Sequence, residues 1–313
     1  MNGNFKYTFG PVPSRRLGRS LGVDLVPFKT CTYDCIYCQL GRTTNKTTER
    51  KSYAPVSEVL AEAEERLKTG TPPDYITLSG SGEPTLHVGL GEIIAGIRKI
   101  TGIPIAVLTN GSLLADENVR EAIMHADLAI PSLDAGDDSM FQRVNRPHPD
   151  IKFEDILSGL ARFCRDYRGE VWLEVFLLDG LTASDAEVAR IAKCVERVSL
   201  ARVQLNTVAR PPAEDHARPV SMERLKRYCA FFHPQAEVIA EHDIHAVQDE
   251  SDADVQAVLA LLRRRPCTLE DISKGLFIHP AHAAKLIEKL LGQGALRKIK
   301  SGSNNFYKAN NGE

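Results

Sequence analysis

Two hydrophobic periods alternate between residues 56 and 208. Apolar residues recur at helical spacing over 56–67, 90–100, 117–126, 153–167 and 187–198. Between them lie short, almost unbroken apolar runs at 75–78, 103–108, 128–133, 171–178 and 203–208. A period near 3.6 marks a helix with one buried stripe, whereas an unbroken run of four to eight marks a strand covered on both faces. With the run 20–27 counted as the first strand, the pattern predicts six βα units around a parallel sheet. Ser184 and Glu187 predict a capping box at the start of the last of these helices. Six units are too few for a closed eight-stranded barrel.

After Pro211-Pro212 the chain changes character. The reading divides it into a barrel at 1–212, a capping extension or linker at 213–250 and a small domain at 251–313. The extension is expected to hold a helix over 222–232 and a short apolar segment at 236–240. The last segment predicts helices at 253–265, 269–275 and 280–291. A strand at 295–300, a turn at Gly302–Asn305 and a returning strand at 306–308 follow, and turn chemistry of this kind suits a hairpin tip. Three helices and a hairpin make the layout of a winged helix. Its recognition helix would present His282, Lys285 and Lys289, with Lys298, Lys300 and Lys308 on the wing.

Composition narrows the class. The 313 residues are 43% hydrophobic and 26% charged, ordinary for a globular protein. No apolar run approaches eighteen residues and the N-terminus has no signal-peptide core, so a cytoplasmic location with no membrane contact is expected. Net charge is −2, unevenly spread. From Gln256 onward ten Lys or Arg face four acids, an excess that points to a polyanion. Of seven cysteines, Cys164, Cys194 and Cys229 fall on apolar helix faces, and an odd scattered set argues against disulfides.

The candidate chemistry starts at Cys31-Thr32-Tyr33-Asp34-Cys35-Ile36-Tyr37-Cys38. Three thiols within eight residues, following a strand, suit the corners of a [4Fe–4S] cluster with one iron left open. Zinc in a Cys3His site is the alternative, with His87 the nearest downstream histidine. Polar residues also mark the ends of the other strands: Ser79–Thr85 with Gly82 and Glu83, Thr109-Asn110-Gly111, Ser132-Leu133-Asp134, Glu174, and Gln204 with Asn206. In βα barrels, sites gather at those C-terminal strand ends, and buried polar groups there need partners. Guanidinium forks bind carboxylates or phosphates, so Arg15 or Arg16 is a candidate for a bound anion, but the expectation for these two, as for Arg143, Arg146 and Arg210, is a surface position, and for Lys29 a solvated side chain.

The Cys-x3-Cys-x2-Cys loop, with Tyr37 before its last cysteine, resembles the signature of the radical S-adenosylmethionine (radical SAM) superfamily. Gly10-Pro-Val-Pro-Ser-Arg-Arg-Leu-Gly18 and Ser20-Leu-Gly-Val-Asp-Leu-Val-Pro27 resemble its wyosine-type tRNA base-forming branch. The resemblance spans about residues 8–212. It implies an α/β fold, a partial (βα)6 barrel, here with the C-terminal winged helix. It also implies a [4Fe–4S] cluster on Cys31, Cys35 and Cys38 whose open iron chelates S-adenosylmethionine, and reductive cleavage to a 5′-deoxyadenosyl radical that abstracts hydrogen from a substrate. Tyr37 would pack beside the adenine, and Ser81-Gly82-Glu83, where the family commonly has Gly-Gly-Glu, would hold the amino group. Asn110, Ser132, Asp134, Glu174 and Asn206 would contact the cofactor or the substrate. Wyosine-type enzymes are expected to carry a second cluster on upstream cysteines; the first thirty residues here contain none, so that branch's pyruvate condensation is not carried over. An RNA base or a peptide is the favoured substrate, reduced ferredoxin or flavodoxin the electron donor, and RNA or protein a partner for the basic winged helix. The rival reading is an iron–sulfur or SAM-binding redox sensor that regulates transcription through that winged helix.

Overall fold

The computed structural model describes residues 5–69, 72–239, 255–276, 278, 280–302 and 304–310. In chain order the strands and helices begin with β1 Thr8–Ser14, β2 Gly18–Val23, a two-residue ladder of β3 Thr30–Cys31 with β4 Asn45–Lys46, and α1 Val56–Thr69. Then come β5 Tyr75–Leu78, α2 Leu90–Ile100, β6 Ile105–Thr109, α3 Glu117–Ile123, β7 Leu128–Pro131, α4 Asp138–Val144 and α5 Phe153–Asp166. β8 Glu170–Phe176, α6 Asp185–Val195, β9 Arg202–Asn206, α7 Met222–Tyr228 and β10 Glu237–Val238 follow. The chain closes with α8 Val255–Arg264, α9 Leu269–Leu276, α10 Pro280–Gly292 and the hairpin β11 Leu296–Ser301 with β12 Asn304–Ala309.

One eight-stranded sheet runs β1-β2-β5-β6-β7-β8-β9-β10. It is parallel from β2 to β10, and antiparallel only between β1 and β2. Each crossover carries a helix one strand along. The helices start where side chains satisfy free backbone amides: Asp116 accepts from Asn118, Asp137 from Met140, Ser184 from Glu187 and Ser221 from Arg224. The expected box at Ser184 forms on its Ser side; the Glu187 carboxylate turns to Arg190 instead.

Strand alternation decides what the sheet encloses. Leu21, Val23, Ile76, Leu78, Ile105, Val107, Leu173, Val175, Val203 and Leu205 join the main core with Ile93, Ile97, Leu160 and Ile191 of the helices. The opposite face carries smaller or polar residues at its upper end, Ser20, Gly22, Thr77, Ser132, Glu174 and Asn206. Below them Leu17, Ala106, Leu128, Ile130 and Trp172 form an apolar floor. The runs read as almost unbroken because both faces are covered; the small inward residues leave a cavity at one end.

The structure differs from the sequence reading at several points. β1 was not expected, since Pro11 and Pro13 argue against a strand interior; it survives at the sheet edge, with a register break between Phe9 and Val12. α4 was also not expected. The first barrel strand ends at Val23 rather than at 27, and the apolar segment near 236 becomes the sheet's last strand, β10, rather than a cap. Residues 240–250 of the expected linker and the first residues of the final segment, to 254, lie outside the described residues.

Candidate functional site

The three cysteines sit in a loop pinned on two sides. On one side, Lys29 N–H donates to the Ser81 carbonyl (2.7 Å) and Glu83 N–H to the Thr30 carbonyl (3.1 Å). The cysteine loop and the glycine-rich turn after β5 are therefore bonded backbone to backbone. A Cβ on Gly82 would overlap the Thr30 carbonyl oxygen, which is why glycine stands there. On the other side, Asp34 N–H donates to Asn145 O (3.0 Å) and Ile36 N–H to Val144 O (3.0 Å), at the end of α4. Cys31, Cys35 and Cys38 line one cavity of about 420 Å³ at the C-terminal ends of the parallel strands.

Lys29 is buried. Rather than solvated, it is 3% exposed with φ of +64°, and its ammonium donates to the Gly41 carbonyl. Burial draws its pKa below the ordinary lysine range, while Cys38, Asp34, Cys31 and Cys35 oppose that shift. The side chain is thus folded into the base of the cysteine loop and not into solvent.

Glu83 is buried and held by four donors, only one of them on its second oxygen. One carboxylate oxygen accepts from Thr85 N–H (3.1 Å), Thr85 Oγ1 (2.6 Å) and Thr109 Oγ1 (2.6 Å), the other from Asn110 N–H (2.8 Å). Burial raises its pKa and these donors pull it back. The Asn110 side chain donates to Thr32 Oγ1 (2.7 Å) and lies 3.6 Å from Cys31 Sγ; Asn145 Nδ2 lies 3.5 Å from Cys35 Sγ.

Opposite, Tyr37 stacks on Phe176 with ring centroids 4.0 Å apart and gives its hydroxyl to Asp134. Asp134 also accepts from Asn145 Nδ2 (2.8 Å) and Phe176 N–H (2.9 Å). Burial lifts its carboxyl to a pKa of about 6. Seven of the eight non-cysteine candidates, Tyr37, Gly82, Glu83, Asn110, Ser132, Glu174 and Asn206, line the cavity with the thiols. Asp134 does not; it stands behind Tyr37. Arg16 and Arg15, expected at the surface, turn inward, Arg16 pairing with Glu174 and Arg15 donating to Asn206 (3.2 Å).

The C-terminal elements supply a wall that sequence reasoning missed. Leu261 and Arg264 of α8, and Arg265 just after it, line the cavity. Arg264 reaches Asp24 at 2.7 Å and covers the Phe9 ring at 4.1 Å. Asp24 in turn accepts from Ser81 N–H (3.0 Å) beside the glycine-rich turn. Val12 of β1 belongs to the same apolar cluster as Val258, Leu262, Ile272 and Ile287. Lys308 of the hairpin, expected on an exposed wing, is half-buried, and its ammonium is lowered first by burial and then by Arg297 and Lys29, against the pull of Cys38. No local signal separates Arg264 and Arg265 from their exposed neighbour Arg263.

The donor set fits a cluster better than a zinc ion. Burial pushes the Cys31 thiol up to about 12 and Cys35 well above its ordinary value, so metal has to displace protons from both. Amide donors lie near two of the sulfurs, the environment that tunes iron–sulfur sites. Among the described residues, no three His, Cys, Asp or Glu side chains are grouped to hold a single ion. His87, the alternative fourth ligand, is fully buried with Nδ1 accepting from Gly89 N–H (3.0 Å) and Nε2 against the Ala54 carbonyl (2.8 Å). Both its nitrogens are used, which removes it as a zinc ligand.

Comparison with known proteins agrees with this geometry. The profile of the radical SAM superfamily matches residues 25–192. A protein of Methanocaldococcus jannaschii named UPF0026 protein MJ1312 is 32% identical over 96% of this chain and 95% of its own length. A Brachyspira hyodysenteriae protein named GTPase Obg is 38% identical over 94% of this chain, which spans only 44% of that relative. The fold is shared with Streptococcus suis SuiB bound to S-adenosylmethionine, at a TM-score of 0.53 and 12% identity, covering 76% of this chain and 54% of that one. No helix among the described residues is long and apolar enough to cross a membrane. From the matched profile and the three thiols around one cavity, the chain belongs to the radical SAM superfamily, whose cofactors are a [4Fe–4S] cluster and S-adenosylmethionine.

Proposed function

We propose that this chain is an enzyme that uses S-adenosylmethionine and a [4Fe–4S] cluster to abstract hydrogen from an RNA base. The observation that carries the catalytic part is the convergence of the thiol loop, the glycine-rich turn and the polar strand ends on one cavity. When bound, the cluster and S-adenosylmethionine supply one-electron reduction and cleavage of the sulfonium bond.

The chain's own residues hold and orient. Cys31, Cys35 and Cys38 are the cluster ligands, with Asn110 and Asn145 donating toward two of the sulfurs. The Gly82 backbone and Glu83 receive the amino group of S-adenosylmethionine, and Glu83 is fixed for this by its four donors. Tyr37, locked by Phe176 and Asp134, offers a ring edge to the adenine, so Asp134 acts through Tyr37. Ser132, Glu174 and Asn206, the last two oriented by Arg16 and Arg15, face the cofactor or the substrate.

The RNA reading is supported by the cations Lys285, Lys289, Lys298 and Lys300, with His282 beside them, which all lie on the exposed face of α10 and β11, the electrostatic footprint of a nucleic-acid binder. The final three helices and hairpin then serve as a winged helix. A transcriptional sensor is disfavoured because α8 builds a wall of the cavity and is not held apart from it. Reduced ferredoxin or flavodoxin is the proposed electron donor.

The test is anaerobic reconstitution followed by dithionite reduction in the presence of S-adenosylmethionine. 5′-Deoxyadenosine forms with the native chain and falls to background in Cys38→Ala. A protein that loads iron yet yields no 5′-deoxyadenosine, or one that binds stoichiometric zinc instead, ends this reading.

A further inference from the structure

Five arginines line the cavity: Arg15, Arg16, Arg210, Arg264 and Arg265. Arg16 pairs with Glu174, Arg264 with Asp24 (2.7 Å) and Arg210 with Asp271 (3.4 Å). Arg15 rests on the neutral Asn206 amide. Arg265 is half-buried, and among the described residues its guanidinium has no carboxylate partner; its hydrogen bond is to the neutral thiol of Cys267. Arg263 and Arg264 end α8, Arg265 follows with its N–H still on the Leu261 carbonyl (3.4 Å), and successive helical positions point about 100° apart. Arg263 accordingly faces solvent, Arg264 is spent on Asp24, and Arg265 is delivered to the cavity wall.

Arg210 stands opposite on the segment that leaves β9, where Thr207, Val208 and Ala209 also line the cavity. Arg210 and Arg265 both line this cavity, and both act, against Asp271, to lower the pKa of the Cys267 thiol that burial raises. The remaining carboxylate on the cavity wall, Glu83, is held by the Thr85, Thr109 and Asn110 donors beside the thiol loop and neutralises nothing here. The seam between the last long barrel strand and α8 therefore presents an uncompensated guanidinium fork to the cavity that holds the thiols.

We infer that this seam binds an oxyanion of the substrate, a phosphate or a carboxylate, with Arg265 as its main cation and Arg210 beside it. The inference rests on the proposed function for the identity of the site, and gives its substrate a required anionic group. A planar fork is suited to two-point recognition of such groups. Because the anion contacts both the barrel and the C-terminal elements, its binding also tightens the seam.

Binding is read by titration calorimetry on the full chain with its cluster reconstituted and S-adenosylmethionine absent, using inorganic phosphate and, separately, acetate. Phosphate binds the native protein, and Arg265→Gln weakens it by about tenfold or more, the loss expected of one charged fork. Arg265→Lys, which keeps charge without the fork and is the milder change for folding, gives an intermediate loss. Arg263→Gln, on the exposed side of the same turn, leaves affinity and 5′-deoxyadenosine formation unchanged. Tighter binding of phosphate than acetate assigns the group as a phosphate, and the reverse order assigns a carboxylate. Absence of binding by either anion, or equal weakening by Arg263→Gln and Arg265→Gln, overturns the inference. Anion binding that depends on Arg265 in a protein that forms no 5′-deoxyadenosine upholds the anion site while the catalytic reading falls.

Discussion

His87 shows how a single side chain is assigned by its surroundings. A histidine downstream of three cysteines is a natural zinc ligand on paper, yet here it joins the Ala54 carbonyl to the Gly89 amide in a fully buried position. Because Nδ1 accepts, Nε2 carries the proton and the ring is neutral. Burial lowers the pKa of this ring below its ordinary value, so the fold favours the neutral form. The stabilisation is complete above the unfolded histidine pKa near 6.5 and is lost as pH falls toward the lower folded value. Protonation would set a new N–H against the Gly89 N–H, a buried mismatch costing about 1–3 kcal/mol. Denaturant unfolding at about pH 8 and about pH 5.5 should show the native chain losing up to about 1.4 kcal/mol, the linkage limit one unit below the unfolded pKa, and His87→Gln losing less across the same window. Equal losses would assign the pH dependence to another group. Lys29 makes the same point: its sequence context reads as solvent, and its packing buries it against the Gly41 carbonyl of the cysteine loop.

At the scale of elements, the cysteine loop and the glycine-rich turn behave as one unit. They are separated by about fifty residues of chain but joined by the Lys29–Ser81 and Glu83–Thr30 backbone bonds. Gly82 lies against the Thr30 carbonyl with no room for a methyl group. Gly82→Ala should therefore displace the cysteine loop as well as its own turn, costing about 1–3 kcal/mol as an overpacked site. Both iron content after reconstitution and S-adenosylmethionine binding should fall together. Loss of S-adenosylmethionine binding with normal iron loading would mean that the two segments are not mechanically coupled. The strands and helices of the barrel were legible because each βα unit repeats the same two periods. β1 and α4 were not: β1 carries two prolines that an edge position tolerates, and α4 spans only two turns.

The whole molecule is held at its seam by Arg264 and Asp24, with side-chain exposures of 18% and 9%. Burial raises the Asp24 carboxyl pKa, and Arg264, with Ser81, offsets part of that cost. Removing the cation alone leaves an uncompensated buried carboxylate, so Arg264→Ala should lower stability by about 3–5 kcal/mol. Arg264→Ala with Asp24→Asn should recover much of this, since the stranded charge is then gone. Unfolding curves of the two variants make the comparison. A loss in Arg264→Ala no larger than that of an exposed ion pair, about 0–1 kcal/mol, would show that the seam opens freely. The position of the C-terminal elements also changes the meaning of their charge: Lys308, Arg264 and Arg265 belong to the cavity and its cover, and only the remaining cations face outward.

What the sequence determined by itself was local: the βα order, most helix starts, and the eight-residue spacing of the three thiols. Each of these depends on residues close together in the chain, where periodicity, caps and ligand spacing act directly. Tertiary structure alone decided which polar residues meet. It drew Arg15 and Arg16 inward, set Asp134 behind Tyr37, buried Lys29 and brought Arg264 and Arg265 to a cavity begun more than two hundred residues earlier. The reason is that burial and charge pairing depend on distance in space, and a solvated arginine and a buried one have the same local sequence.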